Sequence, residues 1–128
     1  AMALTAMGPM KAMEEALKEY GAVLDQNPGH LDALNNRGNV HIDLAMWQSK
    51  RGKDARTAYL SAIADYTAAL RIKPGRWKTL INRAQAYERG HEYAKAADDL
   101  EAAATANPEL KDRYARAIET LRRRAAGE

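Results

Sequence analysis

Apolar residues recur along this chain with a helical period. Met10, Met13, Leu17, Tyr20 and Leu24 stand at i, i+3, i+7, i+10 and i+14, which is one face of a helix. Asn27-Pro28 ends that stripe, because the residue before a proline is pushed out of the α region. A second helical segment begins near Leu31 and a third ends near Pro74. A fourth opens at Trp77, and a fifth runs from about Glu92 to Thr105, stopping before Pro108. Leu110, Tyr114, Ala117, Ile118 and Leu121 form a last stripe. No stretch alternates with period two over any length, so the fold class is all-α, with about six helices.

The prolines reveal a repeat. Pro74 and Pro108 lie 34 residues apart, and Pro28 and Pro74 lie 46 apart, which is 34 with 12 added. Upstream of each, the same small and large residues recur: Ala16, Tyr20 and Val23; Ala62, Tyr66 and Ala69; Ala96, Leu100 and Ala103. Downstream, Leu34, Arg37, Gly38 and His41 are answered by Leu80, Arg83, Ala84 and Tyr87. This pattern resembles the tetratricopeptide repeat (TPR), W-x2-L-G-x2-Y, then A-x3-F, then P, over roughly residues 10–124. Two signature sites depart from it: Leu stands in place of Trp, and Arg in place of Leu. The resemblance implies an α-solenoid of antiparallel helical hairpins. Its expected parts within 10–128 are a half repeat at 10–28, a repeat with a 12-residue insertion at 29–74, a repeat at 75–108 and a capping helix at 109–124. Residues 1–9 mix small residues with Gly8-Pro9 and are set aside as an expression scar or disordered leader.

Three local features follow. Gly90 is expected to turn the chain between the helices of the second repeat, as a C-terminal glycine can, with Ala84 and Ala96 small because the helices cross closely there. The insertion falls between Leu44 and Ala58, where Gly52 and Asp54 read as a displaced turn with an N-cap. Helices over about 31–50 and 54–72 result, with roughly half of the extra residues in each and a tip projecting beyond the stack. Trp47 and Tyr59 lie on that extension, either packed on each other or forming an exposed aromatic site. Finally, the helix over 10–26 is expected to be the second helix of a repeat whose first helix is not in this sequence, so that either an upstream segment or another protomer covers its face. Its stripe of Met10, Met13, Leu17 and Tyr20 is therefore a candidate self-association surface, with a homodimer as the alternative role.

Candidate chemistry is sparse. There is no cysteine, and His30, His41 and His91 do not share metal-ligand spacing. No nucleotide-binding or nucleophile motif occurs, and Asp98 and Asp99 point about 100° apart on a helix. An enzyme, a cofactor and a metal site are therefore not expected. No apolar run approaches a bilayer span, no basic leader is present, and a cytoplasmic location is expected. The formal charge is only +3. Lys50, Arg51, Lys53 and Arg56 cluster at the hairpin tip, and Arg122, Arg123 and Arg124 near the C-terminus. Cations at a helix C-terminus favour the macrodipole without any ligand, which disfavours nucleic acid as a partner.

The resemblance implies instead a protein or peptide partner bound in the concave groove that the first helices line. Spacing nominates Asp32, Asn35, Asn36, Asn39 and Asp43 on the first such helix. Lys78, Ile81, Asn82, Gln85 and Arg89 follow on the second, and Arg116 on the capping helix. In part this is similar to the carboxylate clamp of chaperone-binding TPR proteins. Asn36 and Lys78 match clamp positions, whereas Asn82 stands where the clamp has an arginine. The helix that would supply the first Lys-Asn pair is missing.

Overall fold

The computed structural model describes residues 2–128, with side chains from Gly8 onward. Its elements are α1 (Met2–Gln26), α2 (Leu31–Lys50), α3 (Arg56–Ile72), α4 (Trp77–Arg89), α5 (Tyr93–Ala106), a 3₁₀ turn (Pro108–Leu110) and α6 (Lys111–Ala125). There are two compact units, one up to Asp65 and one from Tyr66 on.

In the first unit α1 packs along α2. The helix begins well before residue 10, taking in most of the stretch set aside as a leader, with Pro9 inside it. Proline lacks an amide hydrogen, so the helical ladder loses a bond there. Met10, Met13, Leu17 and Tyr20 are half-buried and Leu24 is buried. The stripe is thus partly covered and partly exposed, with α2 packed alongside. Between the two helices His30 caps α2, its Nδ1 accepting the Ala33 amide at 3.1 Å.

The insertion is not shared evenly. α2 has 20 residues against 13 in α4, and α3 has 17 against 14 in α5. Seven extra residues thus extend the first helix, three extend the second, and two widen the turn. Asp54 Oδ1 accepts the Arg56 amide at 2.9 Å, so the expected cap forms and α3 starts two residues later than the sequence suggests. Buried Ala45, Ala55 and Ala58 hold the extended hairpin together, with Leu44 and Tyr59 packed on them.

In the second unit α4 and α5 pair, and α6 packs on α5. Ala84, Ala96, Ala97, Leu100 and Leu121 form one buried cluster. Ala84 and Ala96 are 3% and 0% exposed, as a close helix crossing requires. Leu70, Leu80, Ala103 and Leu110 form another cluster, under Trp77.

One ion pair recurs in both units. Arg37 on α2 grips Asp65 on α3 with two prongs, Nε to Oδ2 at 2.8 Å and Nη2 to Oδ1 at 2.7 Å. Arg83 on α4 grips Asp99 on α5 with the same atoms at the same distances. Arg83 Nη1 also donates to the Thr67 hydroxyl at 3.1 Å. Both aspartates are only 5% exposed. Each pair holds its arginine more firmly charged than usual, chiefly by the hydrogen bond to the carboxylate. These arginines occupy the signature site where the repeat pattern has leucine.

The helix ends share a second device. After α2, α4 and α6 the chain closes with paired 6→1 and 5→2 backbone bonds, the Schellman arrangement. At α4 these are Glu92 N–H to Tyr87 C=O at 2.8 Å and His91 N–H to Glu88 C=O at 3.0 Å. The motif needs one residue in the left-handed region. At α2 and α6 that residue is Gly52 (φ 69°) and Gly127 (φ 86°), but at α4 it is His91 (φ 63°). Gly90 has φ −87°, so it is not the reversing residue. It stands one position too early, and His91 carries the strain, with Nδ1 held 2.7 Å from the Tyr93 hydroxyl.

A Cβ at Gly90 would meet only ordinary contacts at 3.6 Å. Gly90→Ala should therefore leave stability unchanged or raise it by up to about 1 kcal/mol. His91→Val should cost about 1–2 kcal/mol, because a β-branched residue is poorly accommodated at positive φ. Urea melts of the two variants check this. A large loss for Gly90→Ala would mean that the glycine is the turn residue after all.

Candidate functional site

Two polar stripes run along the first helices of the hairpins. On α2, Asp32, Asn36, Asn39 and Asp43 stand at i, i+4, i+7 and i+11. On α4, Lys78, Asn82, Gln85 and Arg89 repeat that spacing. Residues at these intervals share one helix face. Asp32, Asn36, Asp43, Lys78, Gln85 and Arg89 are exposed, while Asn35, Asn39, Ile81 and Asn82 are half-buried. Behind them α2 buries Ala33, Leu34, Gly38 and Ala45, and α4 buries Thr79, Leu80, Ala84 and Ala86. The buried backs fix the helices, and the exposed members of the fronts face solvent while Asn39 and Asn82 are half-buried.

The stripes differ in charge although they are equivalent in register. That of α2 is bounded by aspartates, and that of α4 by Lys78 and Arg89. The Lys78 ammonium lies 5.5 Å from the centre of the neighbouring Trp77 ring. Each asparagine offers a donor and an acceptor on one short arm, the equipment for gripping a peptide backbone.

The remaining nominated features have local partners. Arg51 lies 3.9 Å over the Trp47 ring and Lys53 lies 5.5 Å from it, so the basic tip folds back onto its own tryptophan. Trp47 lines a shallow cleft of about 370 Å³ with Pro9, Met13, Asp43 and Met46, whereas Tyr59 sits on the alanine cluster. At the C-terminal end Arg122 bridges Asp98 at 2.8 Å and Glu101 at 3.0 Å. Arg123 meets Glu119 at 2.7 Å, and Arg124 covers Tyr93 at 5.0 Å. These arginines serve the second unit's own helices. Asp98 and Asp99 do point apart, one to Arg122 and the other to buried Arg83. Among the described residues no three His, Cys, Asp or Glu side chains are grouped to hold a metal. Nor is any helix among them long and apolar enough to cross a membrane.

His41 occupies the repeat position of Tyr87. Its Nε2 lies 3.7 Å from Asp65, and its Nδ1 is buried without a hydrogen-bond partner. Burial lowers its pKa below the usual 6.5, outweighing the upward pull of Asp65, while Arg37 adds to the lowering. The folded state therefore binds this proton less readily than the unfolded chain. Stability should be full above about pH 6.5 and fall as the pH drops below it, since the unfolded state takes up the proton first. Denaturant melts across that range should show a shallower acid limb for His41→Tyr than for the wild type. An unchanged limb would mean that His41 is not the group responsible.

No family model matches the chain. In sequence it is 32% identical over 96 residues to sperm-associated antigen 1 of Rattus norvegicus, and 33% over 87 residues to the Mus musculus protein. Those alignments take in 75% and 68% of this chain but span only 9% and 8% of the relatives' length. In structure it is similar to the TPR2B domain of yeast Sti1 in its complex with pHsp70. The TM-score is 0.66 at 24% identity, over 94% of this chain and 88% of that one. It is also similar to the TPR2AB domain of yeast Sti1 in its complex with pHSP90. There the TM-score is 0.64 at 24% identity, over 96% of this chain and 44% of that one. Proline register, close alanine crossings and these likenesses agree: the chain has the tetratricopeptide-repeat fold.

Proposed function

We propose that the chain is a non-catalytic protein-interaction module in which the polar stripe of α2 and the polar stripe of α4 each offer hydrogen-bonding and charged groups to a peptide segment or partner helix. The observation that carries this reading is their shared spacing at i, i+4, i+7 and i+11 over apolar backs. The exposed stripe residues Asn36, Asp43, Lys78, Gln85 and Arg89 contribute little to folding, since exposed polar positions usually change stability by only about 0.5 kcal/mol. The yeast Sti1 domains of similar fold, in complexes with pHsp70 and pHSP90, support the same class of ligand. Asn36, Asn39 and Asn82 would hold the ligand backbone. Lys78 and Arg89 suit a carboxylate, and Asp43 suits a basic side chain. A full carboxylate clamp is not proposed, because Asn82 replaces its arginine.

The test is calorimetric titration with the pHsp70 and pHSP90 ligands, each with a free and an amidated C-terminus. The wild type should bind at least one of them. Replacing Asn36, Lys78 and Asn82 together by Ala should weaken binding by at least about tenfold, or about 1.4 kcal/mol. Helicity should remain intact. A triple variant that binds as well as the wild type would remove the stripes from the function.

A further inference from the structure

Helix α2 has 20 residues against 13 in α4, and Asp43 holds the repeat position of Arg89, where the shared length ends. The residues beyond Asp43 build most of the cleft beside α1. Half-buried Met13, Met46 and Trp47 line it, and exposed Asp43, Lys50 and Arg51 carry its charge. Its volume of about 370 Å³ falls within the roughly 300–1,000 Å³ that ligand sites occupy.

Three observations define what suits this cleft. Trp47 Nε1 is buried without a hydrogen-bond partner, although buried donors are nearly always paired, so a ligand acceptor suits it. Among the described residues Lys50, Arg51 and Lys53 have no carboxylate partner, whereas the neighbouring Arg56 has Asp54 at 3.6 Å. Arg51 lies 3.9 Å over the Trp47 ring and Lys53 lies 5.5 Å from it, and a cation over a ring keeps its charge. Asp43 stands seven residues before Lys50, about 10 Å along the helix. The rim is therefore negative at one end and positive at the other.

We infer that this cleft takes an acidic peptide segment with one large apolar side chain. That side chain enters among Met13, Met46 and Trp47. Carboxylates to one side of it meet Lys50 and Arg51, and Lys53 adds to the attraction. At the other end Asp43 accepts a backbone N–H, and about three extended residues cover the distance between. Asp43 also opposes a phosphate backbone or an anionic membrane, which would bring negative charge along the whole rim. The cleft deepens the peptide-binding reading above and rests on it for the class of partner. It shares Asp43 with the α2 stripe but none of Asn36, Lys78 and Asn82, so the two can fail separately.

Calorimetric titration of the whole 128-residue chain with acetyl-Leu-Glu-Glu-amide tests it. The wild type should bind this peptide at least about tenfold more tightly than acetyl-Leu-Gln-Gln-amide, which lacks the carboxylates, or acetyl-Gly-Glu-Glu-amide, which lacks the anchor. Lys50→Glu combined with Arg51→Glu should remove that preference and create one for acetyl-Leu-Lys-Lys-amide. Both sites are exposed, so helicity should stay at the wild-type level. The triple alanine variant at Asn36, Lys78 and Asn82 should bind the acidic peptide as the wild type does. A charge-reversed chain that still binds it with wild-type affinity would overturn the inference, as would a wild type with no preference among the three peptides. Binding of phosphatidylserine vesicles in place of the peptide would do the same.

Discussion

A two-pronged ion pair, buried between the helices of each hairpin, is the constraint on which the rest of this structure depends. The aspartate lies out of water, and its charge is tolerable only while both guanidinium prongs reach it. A slip of one turn along either helix would strand that charge. The alanine-rich core cannot impose the same discipline. Ala45, Ala62, Ala69, Ala86, Ala96, Ala97 and Ala103 are all fully buried, yet a methyl group contributes far less than the roughly 1.5–3 kcal/mol of a buried leucine. Small residues allow close approach, and the arginine and aspartate fix where that approach occurs.

This division of labour explains how the insertion is tolerated. Arg37 and Asp65 are 28 residues apart, and Arg83 and Asp99 are 16 apart, a difference equal to the 12 inserted residues. The pair geometry is the same in both hairpins. Every added residue therefore lies distal to the pair, toward the turn, where the alanine cluster and the Arg51–Trp47 contact finish the longer tip. The same base-anchored hairpin presents its polar stripe at the same offsets in α2 and α4. The acidic front of α2 and the basic front of α4 thus stand on equivalent scaffolds.

Much of this was legible in the sequence, because it rests on local rules. Proline offsets, the 3.6-residue period and small residues at crossings each act within one hairpin. They placed both ends of α2 and the start of α4 to the residue, and the ends of α3, α5 and α6 within two, whereas α1 begins eight residues earlier than its stripe. What sequence reading missed depends on contacts across helices. Arg37 and Arg83 read as departures from a leucine signature, while the signal that explains them is the aspartate recurring three residues after the crossing alanine in both partner helices. Gly90 read as the turn because glycine is the usual left-handed residue, but the backbone places that conformation at His91. The Met10–Tyr20 stripe, nominated for self-association, is half-buried, with α2 packed alongside α1. The polar stripes were nominated by spacing, and of their residues Asn36, Asp43, Lys78, Gln85 and Arg89 are exposed whereas Asn39 and Asn82 are half-buried. Which ligand they take depends on chemistry outside this chain.

The most direct test of this view is a double-mutant cycle on Arg83 and Asp99, read by denaturant unfolding of Arg83→Met, Asp99→Leu and the pair of changes together. If the ion pair sets the hairpin, Arg83→Met alone should cost about 3 kcal/mol, because it leaves a buried carboxylate unpaired. The double variant should recover much of that loss, with a coupling of about 2 kcal/mol or more. Single losses below about 0.5 kcal/mol that simply add would contradict it, and would class the pair with ordinary surface salt bridges.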